Sequence, residues 1–146
     1  MNDAPPRRSI APLLLGFGLT SALLLVIGYA ASQRRAATLE PPPITIATPS
    51  PGAVIGTPLI VRFETARPIA LRSSGWGFQR FHLHAWINGI EYMPAAADIR
   101  PIDQHTYEWT FAGIQPGSAE LQLAWSDQAH RKWPSGSSAV VSFRIR

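Results

Sequence analysis

The residues best suited to chemistry here are two imidazoles one residue apart, His82 and His84 in FHLHAWI (residues 81–87). Successive side chains of a strand point to opposite faces, so both imidazoles share one side while Phe81, Leu83, Ala85 and Ile87 take the core side. A second pair, Asp127 and His130, follows a later apolar run. If the two runs are antiparallel neighbours, the start of one meets the end of the other, and three imidazoles gather with one carboxylate. Neutral imidazole suits copper and zinc, which makes His82, His84, His130 and Asp127 candidate metal ligands. The plainer alternative is that the histidines line a half-exposed outer face or satisfy loop carbonyls. Copper or zinc is thus the alternative cofactor reading beside none. Hydrolytic chemistry has less support: the chain contains no G-x-S-x-G, no H-E-x-x-H and no Gly-rich phosphate loop, so the expectation is a non-enzyme.

The elements that must position these residues are short and alternate with period two. Leu59, Val61 and Phe63 alternate with Ile60, Arg62 and Glu64; Tyr107, Trp109 and Phe111 alternate with Glu108 and Thr110; Leu121, Leu123 and Trp125 alternate with Gln122 and Ala124. Such alternation predicts half-buried antiparallel strands. Asn88-Gly89 between Ile87 and Ile90 predicts a two-residue hairpin, because both central residues must accept positive φ. The predicted strands are Ile44–Thr48, Leu59–Thr65, Arg80–Ile87, Ile90–Met93, His105–Phe111, Glu120–Ser126 and Ala139–Ile145. About seven strands in roughly 100 residues is the size of an immunoglobulin-like antiparallel sandwich, so the fold class is mostly β. In that architecture the strand beginning at Arg80 and the one ending at Ser126 are neighbours, which brings the two histidine motifs together.

Four segments carry a resemblance to a known group: IATPSPG at 46–52, the H-x-H strand before Asn88-Gly89, GIQPG at 113–117, and DQAH at 127–130. In these the chain resembles small bacterial extracytoplasmic Ig-like domains, over roughly residues 44–146. The resemblance implies a β-sandwich displayed outside the cytoplasm, in a group of which some members are suspected of binding metal.

A further grouping is amphipathic. The predicted loop at 66–79 holds Trp76 and Phe78, and the loop after Ser126 holds Arg131, Lys132 and Trp133. Trp beside Arg or Lys suits lipid headgroups or a protein interface. Trp86 shares the outer face with the histidines. Trp76, Phe78, Trp86, Arg131 and Trp133 are therefore the candidate partner-binding residues; folding back of Trp76 and Phe78 to plug the sandwich is the competing expectation.

The charge distribution fixes what kind of partner is expected. The 146 residues carry a net charge of +4 and no cysteine. Residues 1–35 hold four arginines against Asp3, a net of +3, while residues 36–146 are within one charge of balance. The basic excess thus flanks one segment, and nucleic acid is not expected as a partner. That segment, LLLGFGLTSALLLVIGYAA at 13–31, is long enough to cross a hydrocarbon layer of about 30 Å as a helix, and too long for a typical cleaved signal core. Gly16 and Thr20, and Gly28 with Ser32, have the small-residue spacing that lets membrane helices pack closely. The predicted organisation is a cytoplasmic tail at 1–9, a transmembrane anchor at 10–31, a proline-rich linker at 32–43 and the sandwich at 44–146. The expected place is the bacterial inner membrane, crossed once, with the domain periplasmic. The expected role is a non-catalytic accessory or scaffold subunit of an integral membrane complex, in an energy-transducing assembly or another, touching protein or bilayer. The alternative is a membrane-tethered metal-binding module.

Overall fold

The alternation of apolar and polar residues is realised as β-structure throughout residues 40–146, the part of the chain that the computed structural model describes. The expected membrane helix, with Gly16, Thr20 and Gly28, lies outside the described residues. Among those described, no helix is long and apolar enough to cross a membrane. The strands are β1 (Ile44–Thr48), β2 (Val54–Ile55), β3 (Leu59–Thr65), β4 (Ala70–Arg72), β5 (Gly75–Phe78), β6 (Phe81–Ile87), β7 (Ile90–Tyr92), β8 (Ile99–Pro101), β9 (Thr106–Phe111), β10 (Gly117–Ser126) and β11 (Val141–Ile145). One sheet has the order β1-β3-β9-β8; the other runs β2-β11-β10-β6-β5-β4, with β7 also paired to β6. Together they make a mostly-β sandwich.

Val61, Phe63, Trp109 and Phe111 from the first sheet meet Leu83, Leu123, Trp125 and Phe143 from the second in one buried cluster. Burying each such side chain contributes about 1.5–3 kcal/mol, so the interior these alternating strands share is the main source of stability. Strands β3 and β11 alternate strictly between buried and exposed positions, as a one-sided strand should. Strand β6 does not: every residue but Trp86 is buried, including His82 and His84. The second half of β10 is likewise buried on both faces. The histidines do occupy the outer face, but that face is covered, which corrects the expectation of a half-exposed surface.

Two other regions differ from the sequence reading. The segment expected as a loop at 66–79 contains β4 and β5, which extend the second sheet beyond β6. It forms strands because Gly77 pairs with His82 at a separation no side chain could occupy: a β-carbon there would stand 2.0 Å from the Phe81 carbonyl oxygen and 2.8 Å from the His82 Cα. The proline-rich stretch also ends differently. Pro41 and Pro42 are buried, and the Trp125 indole Nε1 donates to the Pro42 carbonyl at 2.8 Å, so residues 40–43 pack with the sandwich.

Gly77→Ala tests the close approach. The added methyl must push β5 away from β6, an overpacking cost of about 1–3 kcal/mol. Urea unfolding should show that loss, and an unchanged midpoint would contradict the packing described.

Candidate metal centre

The positions of the imidazoles follow from the β6–β10 ladder. In its register His82 faces Ser126 and His84 faces Ala124, and the tight Asn88-Gly89 hairpin places Glu91 opposite Trp86. Residues directly opposite share a face, and long side chains reach diagonal neighbours. Glu91 is therefore within reach of His84. After Ser126 the chain turns and runs back along β10, with Trp133 N donating to Trp125 O at 2.7 Å and Ser138 N to Leu123 O at 2.8 Å. The tip of this return folds over the outer face and carries His130 onto β6.

Asp127 builds that tip. Its backbone N donates to Arg131 O at 3.0 Å, and His130 N donates to Asp127 O at 3.0 Å. Its Oδ1 accepts from Ala129 N at 2.8 Å and Arg131 N at 3.1 Å, while Oδ2 takes the Arg131 guanidinium at 2.7 and 3.0 Å. These hydrogen bonds, the Arg131 backbone N–H and guanidinium first, hold its carboxyl below the usual carboxylate range. The fourth candidate ligand thus serves the turn, outside the imidazole cluster. The turn leaves His130 at φ 57°, in the left-handed region. For a residue with a β-carbon this costs about 1–3 kcal/mol, and such strain collects at functional positions.

His82, His84 and His130 have ring nitrogens that all lie within 4.8 Å of one another. His82 Nε2 and His130 Nδ1 are 3.4 Å apart, long for a hydrogen bond. Two nitrogens each about 2.0–2.1 Å from a tetrahedral ion stand about 3.3–3.4 Å apart, so this separation fits one edge of a coordination tetrahedron. Bringing the third nitrogen to the same edge length needs a shift of roughly 1.5 Å or less. His84 Nδ1 lies 2.6 Å from Glu91 Oε1. An ionised carboxylate only accepts, so Nδ1 carries the proton and Nε2 keeps its lone pair. That Nε2, His82 Nδ1 and Ser126 Oγ are buried without a partner. Buried polar atoms are paired in the great majority of cases, so the free Nε2 of His84 marks a site, while the His82 orphan is Nδ1 and the nitrogen that approaches His130 is Nε2. A carboxylate on the far nitrogen of a histidine is also the usual second contact of a metal ligand.

Both buried imidazoles have their pKa lowered from 6.5: His82 by burial first and then by His84 and His130, His84 by burial, which outweighs the opposing Glu91 carboxylate. Around neutral pH both are uncharged, each with one lone-pair nitrogen, the state a metal needs.

Of the partner-binding candidates, Trp76 is only 7% exposed, with its indole N–H on the Ala96 carbonyl at 3.2 Å and its ring edge-on to Tyr107. It plugs the sandwich, which corrects its assignment to a docking surface. Phe78 is half-buried under the Arg67 guanidinium, 4.3 Å from its ring centre. Of the other three, Trp86 stacks on His84 with centroids 5.8 Å apart, Trp133 packs on Phe81 at 4.9 Å, and Arg131 is held by Asp127. Lys132 Nζ lies 4.8 Å above the Trp86 ring. The residue that sequence reasoning missed is Glu91. The hairpin register contained the signal, since a two-residue turn at Asn88-Gly89 fixes Glu91 diagonal to His84.

The lowered imidazole pKa values set a pH dependence. Protons bind the unfolded histidines more tightly than the folded ones, so the stability present above about pH 6.5 is lost as pH falls through the lower folded values. Urea midpoints should drop between about pH 7.5 and about pH 5, less steeply in His84→Gln than in the parent. Equal slopes would contradict the burial argument.

No family model matches this sequence, nor does any curated protein. Among solved structures, the chain is similar to an endo-β-1,4-mannanase from Thermotoga petrophila, at 13% identity and a TM-score of 0.46, over 74% of this chain and 20% of that one. It is also similar to the fibronectin(III)-like modules of CbhA from Clostridium thermocellum, at 12% identity and a TM-score of 0.39, over 70% of this chain and 93% of the module chain. The chain spans about one fifth of the mannanase's length.

Proposed function

We propose that this chain is a membrane-tethered, extracytoplasmic Ig-like module that binds one copper or zinc ion through His82, His84 and His130, without catalysing a reaction. The observation that carries the reading is the gathering of three imidazoles within 4.8 Å, two of them buried and one, His84, with its Nε2 unpartnered. Nitrogen-only donors suit Cu(II) and Zn(II) better than hard oxygen-seeking cations. Glu91 orients His84, and Asp127 orients His130 through the turn.

A second reading, an accessory subunit of an inner-membrane complex, has one observation in its favour. Strand β4 ends its sheet with Ala70, Leu71 and Arg72 all exposed, and a sheet edge can accept a strand from another chain. Purification in mild detergent, with mass spectrometry of co-eluting proteins and a metal assay on the same sample, separates the two. Stoichiometric partners without metal favour the second.

Titration of the full-length chain with Cu(II) and with Zn(II) should show one tight site, lost in His82→Ala and His84→Ala. Glu91→Ala should weaken it by about 10–100-fold, the usual cost of removing the partner that orients a ligating histidine. His130→Gly distinguishes ligand from scaffold: glycine accepts positive φ without penalty, so this variant should be at least as stable as the parent yet bind metal more weakly. Parent affinity retained in His130→Gly would overturn the three-histidine site.

A further inference from the structure

We infer that the three-imidazole centre keeps its fourth coordination position for an exogenous monodentate ligand of the class of small anions, an inference that rests on the metal-binding reading above. The inventory of donors leads there. The chain has four histidines and no cysteine. The fourth histidine, His105, has its Nδ1 3.1 Å from the Thr65 carbonyl, next to β9 in the other sheet, and is not among the clustered residues. Of the two methionines, Met93 is exposed and lines a hollow with Tyr92, Asp98 and Trp109, and Met1 precedes the described residues.

The two nearest carboxylates are committed elsewhere. Both oxygens of Asp127 are taken by Ala129 and Arg131 in the turn. Glu91 holds Nδ1 of His84, and an ion on Nε2 of the same ring lies on the far side of the imidazole from it. Ser126 Oγ, buried and unpartnered opposite His82, is a neutral hydroxyl and brings no negative charge to offset the ion's. Three neutral imidazoles leave a divalent ion with its full charge of +2, which attracts an anion in preference to another neutral donor. His82 and His84 are buried, whereas His130 is exposed, so the open position is reached from the side of His130. Three protein ligands with a fourth position for an outside ligand is the arrangement that distinguishes open metal sites from closed structural ones.

The test is azide binding to the copper-loaded full-length chain. The protein is given one equivalent of Cu(II), the visible spectrum is recorded, and azide is added; azide replaces a solvent water on the ion, with no change of oxidation state. An open position produces a saturable azide-to-copper charge-transfer band, absent from the His82→Ala/His84→Ala variant given the same copper. His105→Gln, at the histidine outside the cluster, should show the band with the same half-saturation as the parent. Copper bound tightly with no azide band overturns the inference and leaves the metal-binding reading standing. A band that appears only in Asp127→Asn also overturns it, by making Asp127 the fourth ligand. Failure of the parent chain to bind copper or zinc at all overturns both.

Discussion

The structure depends on one antiparallel ladder, β6 on β10, in the register that sets Leu121 against Ile87 at one end and Ser126 against His82 at the other. On its inner side this ladder supplies Leu83, Ala85, Leu123 and Trp125 to the core. On its outer side it lays His82, His84, Ala124 and Ser126 in a buried strip. A shift of one residue would exchange the two sides, carrying imidazoles into the core and leucines under the loop, so core packing enforces the geometry of the imidazoles. The site needs no separate scaffold, because the register that fills the interior also aligns the ligands.

What the ladder does not supply comes from two local devices. The Asn88-Gly89 hairpin returns Glu91 to the same face, and the Asp127 turn carries His130 over it. Each device spends a polar side chain on positioning. Asp127 binds the turn's own N–H groups and Arg131, and Glu91 binds one edge of a single imidazole. The outcome is a set of basic nitrogens whose supporting carboxylates are all engaged elsewhere, in a strip too dry to leave imidazole nitrogens unpaired without cost. Such a cost is reasonable where the nitrogens have a use.

Much of the frame was legible in the sequence because period two and turn chemistry are local. Ile44–Thr48 and Leu59–Thr65 coincide with β1 and β3, and five other expected strands match to within about three residues, ordinary scatter for element ends. The short strands β2, β4, β5 and β8 were not legible: two to four residues contain no period, and Gly75-Trp76-Gly77 reads as a loop until Gly77 is seen against His82. The burial of His82 and His84 was hidden for a different reason. Its cause is a turn far along the chain, and nothing in FHLHAWI announces that its polar side will be covered. Trp76 misled in the same way, since an indole beside arginine looks the same in sequence whether its N–H ends in solvent or on the Ala96 carbonyl.

His82 and His130 are separated by 48 positions along the chain. Their meeting therefore belongs to the long-range contacts that form only when the sandwich closes, whereas His82 and His84 are near each other even in an unfolded chain. An ion held by all three would join points 48 positions apart only in the folded chain, and would stabilise the closed sandwich by binding it in preference to the open one. On the proposed reading, folding and metal affinity would be a single linked equilibrium: whatever loosened the sandwich would also release the ion, and the ion would in turn hold the sandwich shut.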